Sequence, residues 1–358
     1  MTERAFNFHA GPGALPAEVL QQAAAEMTNY RDTGMGVMEI SHRSDAYNRL
    51  HQDARQRLRK LLAIPATHDV LFLQGGASHQ FVMIPANFAK GGRLGYADTG
   101  IWANNAMQQA SLYGATYKVT AASAGGYRTI PMDFHVKEDT SYVHITSNNT
   151  IYGTAYRGFP QLGVPLVADM SSDLLSRPLD VGQFGLIYAG AQKNIGIAGV
   201  TIVIIDRDWM AKGNERLPKI LQYRTHAEAD SIFNTPPTYA IYVLGLALQW
   251  VEAQGGVAEM DRRAQAKSER IYEVLDRYPE VYRPHAERAC RSRMNAVFTL
   301  CDEAQTEGFV RAAAAAGFVG IQGHRRVGGL RISLYNAVPR EGVEKLADWM
   351  DDYAQRHR

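Results

Sequence analysis

The chain has 358 residues, of which 46% are hydrophobic and 21% charged, and a formal net charge of +2. That length accommodates a large domain plus a smaller one, with the composition of an ordinary globular protein. The near-neutral balance, with no compact Lys/Arg run and no apolar stretch of bilayer length, argues against nucleic acid or a membrane as partner.

The first residues, Met1-Thr-Glu-Arg-Ala-Phe-Asn, lack the apolar core of a signal peptide, so a cytoplasmic protein is expected. Pro16 to Tyr30 reads as a helix with proline in its first turn, and Ser44 to Leu62 as a second. Asp69 to Leu73 is strand-like, then Gly75-Gly76 leads into a helix over Ser78 to Phe88. Further strands are predicted at Leu94–Ala97, Tyr142–Thr146, Val164–Ala168, Leu186–Ala189 and Val200–Ile205. This alternation predicts an α/β fold with a largely parallel sheet between helices. Thr235-Pro-Pro opens a helix to about Ala253, and Val257 to Tyr278 forms another. Strands at Val297–Leu300 and Leu330–Ser333, with helical stretches Glu303–Ala316 and Val338–Gln355, predict a small α+β domain from about residue 260. The expected division is 1–15 as an N-terminal segment near the active site, 16–259 as the large domain and 260–358 as the small one. Cys290 and Cys301 show no metal-ligand spacing and read as a reduced, buried pair; no metal is expected.

The chemistry concentrates in Gly185-Leu-Ile-Tyr-Ala-Gly-Ala-Gln-Lys193-Asn-Ile-Gly, where an apolar strand delivers one of only nine lysines to a turn. A lysine crowded by Gly and Ala is partly desolvated, which lowers its pKa and makes the amine a nucleophile. That suits a Schiff base with an aldehyde, of which pyridoxal phosphate (PLP) is the usual one. A lysine in a Gly-rich turn is more often an ordinary loop residue or an anion contact, but Asp169 ends the Val164-Pro-Leu-Val-Ala strand 24 residues earlier. PLP needs a carboxylate to keep its ring nitrogen protonated, and Asp169 supplies one.

Gln74-Gly75-Gly76-Ala77-Ser78 lies between strand and helix, where small residues and a helix N-terminus offer a phosphate cradle, or a plain strand–turn–helix connection. Trp102 follows a strand and offers a face for ring stacking, or simple packing. Thr150, in Ser147-Asn-Asn-Thr, follows another strand and offers a hydroxyl, or turn chemistry. Two cationic groups remain: His42-Arg43 and Gly323-His324-Arg325-Arg326 with Arg331. Arg331 has the character of a bidentate carboxylate clamp. No G-x-G-x-x-G follows the first strand, which disfavours a nucleotide-dependent dehydrogenase.

Six strings together resemble the phosphoserine aminotransferases, class-V aminotransferases of the PLP fold type I. They are Met38-Glu-Ile-Ser-His-Arg43, Asp169-Met-Ser-Ser, Ser176-Arg-Pro, Tyr188-Ala-Gly-Ala-Gln-Lys-Asn-Ile-Gly196, Phe233-Asn-Thr-Pro-Pro237 and Gly323-His-Arg with Gly-Gly-Leu-Arg331. The likeness covers essentially the whole chain and implies a seven-stranded, mostly parallel sheet plus a small C-terminal domain. It implies that Lys193 binds PLP covalently beside Gln192, that Asp169 pairs with the ring nitrogen, and that Trp102 stacks on the ring. Ala77, Ser78 and Thr150 would line the cofactor site. Asn234 and Thr235 would reach the phosphate of the neighbouring subunit's PLP, which implies a homodimer with active sites at the interface. Arg331 would bind the substrate α-carboxylate, and His42, Arg43, His324 and Arg325 the distal anion. The implied reaction converts 3-phosphooxypyruvate and L-glutamate into O-phospho-L-serine and 2-oxoglutarate, in serine biosynthesis. In bacteria the family also forms 4-phosphohydroxy-L-threonine, in pyridoxine biosynthesis.

Some members carry an arginine where this chain has Ser78, while others share Gly-Gly-Ala-Ser; with that cation lost, Arg326 is either an added cation of the distal anion site or a solvated surface residue. The nearest rivals on the same fold are a serine–glyoxylate aminotransferase and a cysteine desulfurase. The first would leave the Arg/His cluster without work, and the second lacks a cysteine on a Gly/Ser-rich loop. A rival of another class is a PLP-binding regulatory protein, for which the chain offers no DNA-binding extension.

Overall fold

In the computed structural model, residues 4–357 are described; residues 1–3 and 358, at the outer ends of the predicted N-terminal segment and small domain, lie outside them. The main sheet has seven strands. From one edge they run His68–Leu73, Thr201–Asp206, Leu186–Gly190, Leu166–Asp169, Thr140–Thr146, Arg93–Asp98 and Thr116–Ala121. Thr201–Asp206 is antiparallel to both of its neighbours, and the other pairings are parallel.

Alternation along the strands builds two apolar faces. Val70, Phe72, Ile202 and Ile204 point into one core, covered by the helices Asp45–Leu61 and Thr238–Ala253. Leu71, Leu73, Val203 and Ile205 point into the other, covered by Gly76–Phe88 and Ile101–Ala110. With both faces covered, the central strands read as unbroken apolar runs rather than as alternating ones.

A second, four-stranded antiparallel sheet runs Tyr282–Pro284, Asn295–Leu300, Gly328–Ser333 and Gln322–His324. It packs in a separate core with the helices Gly256–Arg277, Thr306–Ala315 and Arg340–His357. The N-terminal segment belongs to this core: Phe6–Asn7 pairs in parallel with Phe318–Val319, and Phe8 is fully buried there.

Several local expectations shift. The first helix covers only Ala17–Ala25 and ends at Glu26; the chain then turns, and beyond Tyr30 the residues Arg31 and Asp32 adopt positive φ. The stretch predicted as helix from Glu303 opens as a short 3₁₀ turn and becomes helical at Thr306, where Asp302 caps the turn. The edge strand Thr116–Ala121 and the short strands Tyr282–Pro284 and Gln322–His324 carry too weak a pattern to be read from sequence. Cys290 and Cys301 are free thiols, but each is half-buried rather than buried, because Cys290 lies in a short surface turn and Cys301 just past a strand end. Among the described residues no helix is long and apolar enough to cross a membrane.

Candidate active site

Apart from Thr201–Asp206, the strands of the main sheet end on one edge, where open α/β sheets place their sites. A cavity of about 580 Å³ lies there. Asp169 closes its strand and Gly190 closes the next; the two strands pair with Asp169 opposite Tyr188. The turn after Gly190 then carries Lys193 into the same cavity. Burial pulls the Lys193 ammonium down from its ordinary value; Asp169 pulls it back up, Arg331 pushes it further down, and Asp173 opposes weakly. Lys193 Nζ lies 5.5 Å from the centroid of the Trp102 ring.

The Asp169 carboxylate is held by its own turn. Its Oδ1 accepts from the Ser171 N–H at 3.0 Å and the Ser171 hydroxyl at 2.6 Å. Ser171 Oγ in turn accepts from the Gly190 N–H at 3.0 Å, so one serine ties Asp169 to the strand that leads to Lys193. Sequence reasoning missed Ser171, although the Asp-x-Ser spacing is a recognisable side-chain turn. The Asp169 backbone carbonyl accepts the Ser147 hydroxyl at 2.9 Å.

The helix Gly76–Phe88 points its N-terminus at the cavity. Its cap, Gly75, has φ 91° and gives no side-chain hydrogen bond, and Ala77 and Ser78 line the wall. Free N–H groups at a helix start make an anion site. A Cβ at Gly75 would meet His79 Cβ at 2.5 Å, so only glycine fits this turn.

Thr150 organises two of the predicted residues at once. Its hydroxyl accepts the Trp102 indole N–H at 3.2 Å, and its backbone carbonyl accepts from Arg331 Nη1 at 3.1 Å. Turn chemistry is present too: Asn149 Oδ1 accepts from the N–H groups of Ile151 and Tyr152. Burial lowers the Arg331 pKa, and its Nε is a buried donor with no partner. His324 lines the same wall, its pKa lowered by burial and by Arg331, Arg326 and Arg325.

The N-terminal segment forms a further wall that sequence reasoning placed near the site without naming residues. Ala10 and Gly11 line the cavity, and the Gly13 N–H donates to the Gln192 carbonyl at 2.8 Å. A Cβ at Gly13 would sit 2.6 Å from the Lys193 carbonyl oxygen, so this approach needs glycine.

Of the predicted residues, Ala77, Ser78, Trp102, Thr150, Asp169, Gln192, Lys193, His324 and Arg331 meet around this cavity. Within one chain the fold does not bring the others there. His42 and Arg43 lie in the turn before the helix Asp45–Leu61, away from the cavity lining. Asn234 and Thr235 are exposed and bond Gln74, through Asn234 Nδ2 at 2.9 Å and the Thr235 carbonyl at 3.1 Å. Arg325, with Arg326, is exposed in the hairpin turn between Gln322–His324 and Gly328–Ser333.

The set fits PLP. A desolvated amine, a buried carboxylate held by Ser171, an indole face and an uncapped helix N-terminus stand around one cavity of sufficient size.

The chain matches the class-V aminotransferase family over residues 5–346. It is 50% identical over 362 residues to the phosphoserine aminotransferase of Lysinibacillus sphaericus, covering 100% of each. The phosphoserine aminotransferase of Bacillus circulans subsp. alkalophilus has a solved structure that superimposes with a TM-score of 0.98 at 44% identity, covering 100% of each chain. A PLP-bound phosphoserine aminotransferase from Trichomonas vaginalis superimposes with a TM-score of 0.92 at 36% identity, covering 97% of this chain and 99% of that one. The chain therefore belongs to the class-V aminotransferases, in the branch whose curated members are phosphoserine aminotransferases.

Proposed function

We infer that the protein transfers the amino group of L-glutamate to 3-phosphooxypyruvate, giving O-phospho-L-serine and 2-oxoglutarate, with PLP held covalently by Lys193. The observation that carries this reading is the meeting of Lys193, Asp169 and the half-paired Arg331 around one cavity. Pyridoxal phosphate, when bound, supplies the aldehyde and the electron sink. Lys193 Nζ, its pKa lowered by burial, stands in the cavity where it can take the proton from the substrate Cα. Asp169, fixed by Ser171, would hold the ring nitrogen and keep it protonated. Trp102, fixed by Thr150, offers its face to the ring, and Arg331 holds the α-carboxylate through donors left free by Thr150.

Both substrates present a second anion, a carboxylate in one and a phosphate in the other. His324 lines the cavity, Arg325 lies in the exposed turn beside it, and we assign the remaining cations to His42 and Arg43 of the partner subunit. The same second copy would bring Asn234 and Thr235 of the partner subunit to the cofactor phosphate. Exposed Met35, Met38 and Phe233 flank these same segments, an apolar surface suited to a homodimer. We read residues 16–259 as the large domain and 260–358 as the small one, supported by their separate cores. The free thiols suit a cytoplasmic setting.

The test is an absorbance titration of the purified holoenzyme with O-phospho-L-serine and, separately, with serine. Bleaching of the PLP band by phosphoserine at far lower concentration than by serine is expected; equal response would favour a serine–glyoxylate aminotransferase. Lys193→Ala should lose both the covalent band and turnover, by about 10²–10⁴-fold or more.

A further inference from the structure

A second cavity, of about 680 Å³, is larger than the one around Lys193 and shares no lining residue with it. It lies between the N-terminal segment, the helix Gly256–Arg277 and the loop that enters the helix Arg340–His357. Phe6, Leu15, Trp250 and Val338 give it apolar walls. Five cations face it: Arg4, Arg262, Arg263, Lys267 and Arg340. Among the described residues the acids in its lining are Glu18 and Glu259; Glu259 is already engaged by Arg262 and Arg263, and Arg340 pairs with Glu344.

Lys267 is the telling residue. It is only 3% exposed, yet its ammonium donates to two backbone carbonyls, Tyr335 at 2.7 Å and Val338 at 3.1 Å, and the charge that acts on it is another cation, Arg263. Burial and Arg263 pull the Lys267 ammonium down to about 7, and an anion in the cavity would favour its charged form. We propose that this cavity binds a small organic anion with an apolar body, an aromatic or branched-chain carboxylate being the class that matches its walls.

The occupant would sit against the loop that braces the active site. In that loop the Asn336 N–H donates to Asn194 Oδ1 at 2.8 Å, next to Lys193, and the Tyr335 hydroxyl donates to the Ala10 carbonyl at 2.6 Å. Ligand binding at Lys267 therefore reads out in turnover.

Anilinonaphthalene sulfonate, an aromatic anion, serves as the probe on the holoenzyme. Saturable binding is expected, with energy transfer from Trp250 that disappears in Trp250→Phe, and with kcat altered at saturation. Ala266→Trp, which fills the cavity from its wall, should weaken binding at least ~10-fold, equivalent to about 1.4 kcal/mol. Arg263→Ala, on a partly exposed side chain, should weaken it in the same direction and guards against a misfolded Ala266→Trp. Binding unchanged in both variants, or displacement of the probe by glutamate, would overturn the site; an unaltered kcat at saturation would overturn its coupling to Lys193.

Discussion

Lys193 Nζ stands 5.5 Å from the centre of the Trp102 ring, and the Trp102 indole N–H is itself pinned by Thr150 at 3.2 Å. The amine and the flat face thus border one space, and a residue 48 positions from Trp102 fixes the ring's orientation. Thr150 also holds Arg331, so the stacking face and the carboxylate clamp move together.

Arg331→Leu should raise KM for glutamate and for O-phospho-L-serine alike, by roughly 10–100-fold, the worth of a charge-assisted hydrogen bond. Steady-state kinetics on both substrates checks this. A defect confined to one substrate would remove Arg331 as the common carboxylate clamp.

Asp169 raises the Lys193 pKa, so Asp169→Asn should let that pKa fall further below its ordinary value. In the apoprotein, the pH midpoint for modification of Lys193 by trinitrobenzenesulfonate, followed by mass spectrometry, should move down. Turnover of the holoenzyme should also drop, because an amide cannot keep the ring nitrogen charged. An unmoved midpoint would separate Asp169 electrostatically from Lys193.

Hybrid dimers test the placement of His42 and Arg43. Lys193→Ala and Arg43→Ala chains, each nearly inactive alone, are mixed after mild dissociation. If Arg43 serves the neighbouring site, each hybrid has one site free of both substitutions, and about a quarter of wild-type activity should return. No recovery would place Arg43 in the site of its own chain, or outside it.

Burial pushes the Asp173 carboxyl up to about 6 from its ordinary 3.8, against the pull of Arg177 and the Ser147 hydroxyl. An acid whose folded pKa is raised contributes stability that is complete below about 3.8 and is lost as pH rises through about 6. Asp173→Asn, which keeps the shape and removes the charge, should therefore stabilise the protein at pH 8, on the order of 3 kcal/mol at most, and hardly at all near pH 4. Denaturant unfolding at the two pH values measures the difference, and an equal effect at both would mean that Asp173 carries no buried charge.

Much of the fold was legible because its signals are local. Apolar runs such as Thr201-Ile-Val-Ile-Ile205 are buried on both faces and need no partner to be recognised. Ser44 caps its helix through the Tyr47 N–H, as its position before the helix suggests. The short strands Phe6–Asn7 and Phe318–Val319 were not legible, because two residues acquire a ladder only from a partner more than 300 positions away. Ser171 was overlooked for a different reason: its importance lies in bonding both Asp169 and Gly190, and only the first of these is close in sequence.

By itself the sequence determined the chemical vocabulary: one lysine after a strand, one aspartate at another strand's end, a Gly-Gly turn before a helix. Each follows from nearest-neighbour sterics and solvation. Only the tertiary structure decided which of these groups share a cavity. Parallel pairing sets Asp169 beside Tyr188, the turn after Gly190 swings Lys193 back, and the small sheet carries Arg331 to a carbonyl 181 residues away. The same packing left His42, Arg43, Asn234, Thr235 and Arg325 outside the cavity, since no strand or turn of this chain leads them there. Contacts over such separations depend on closing long loops around a common core, and no local pattern encodes that.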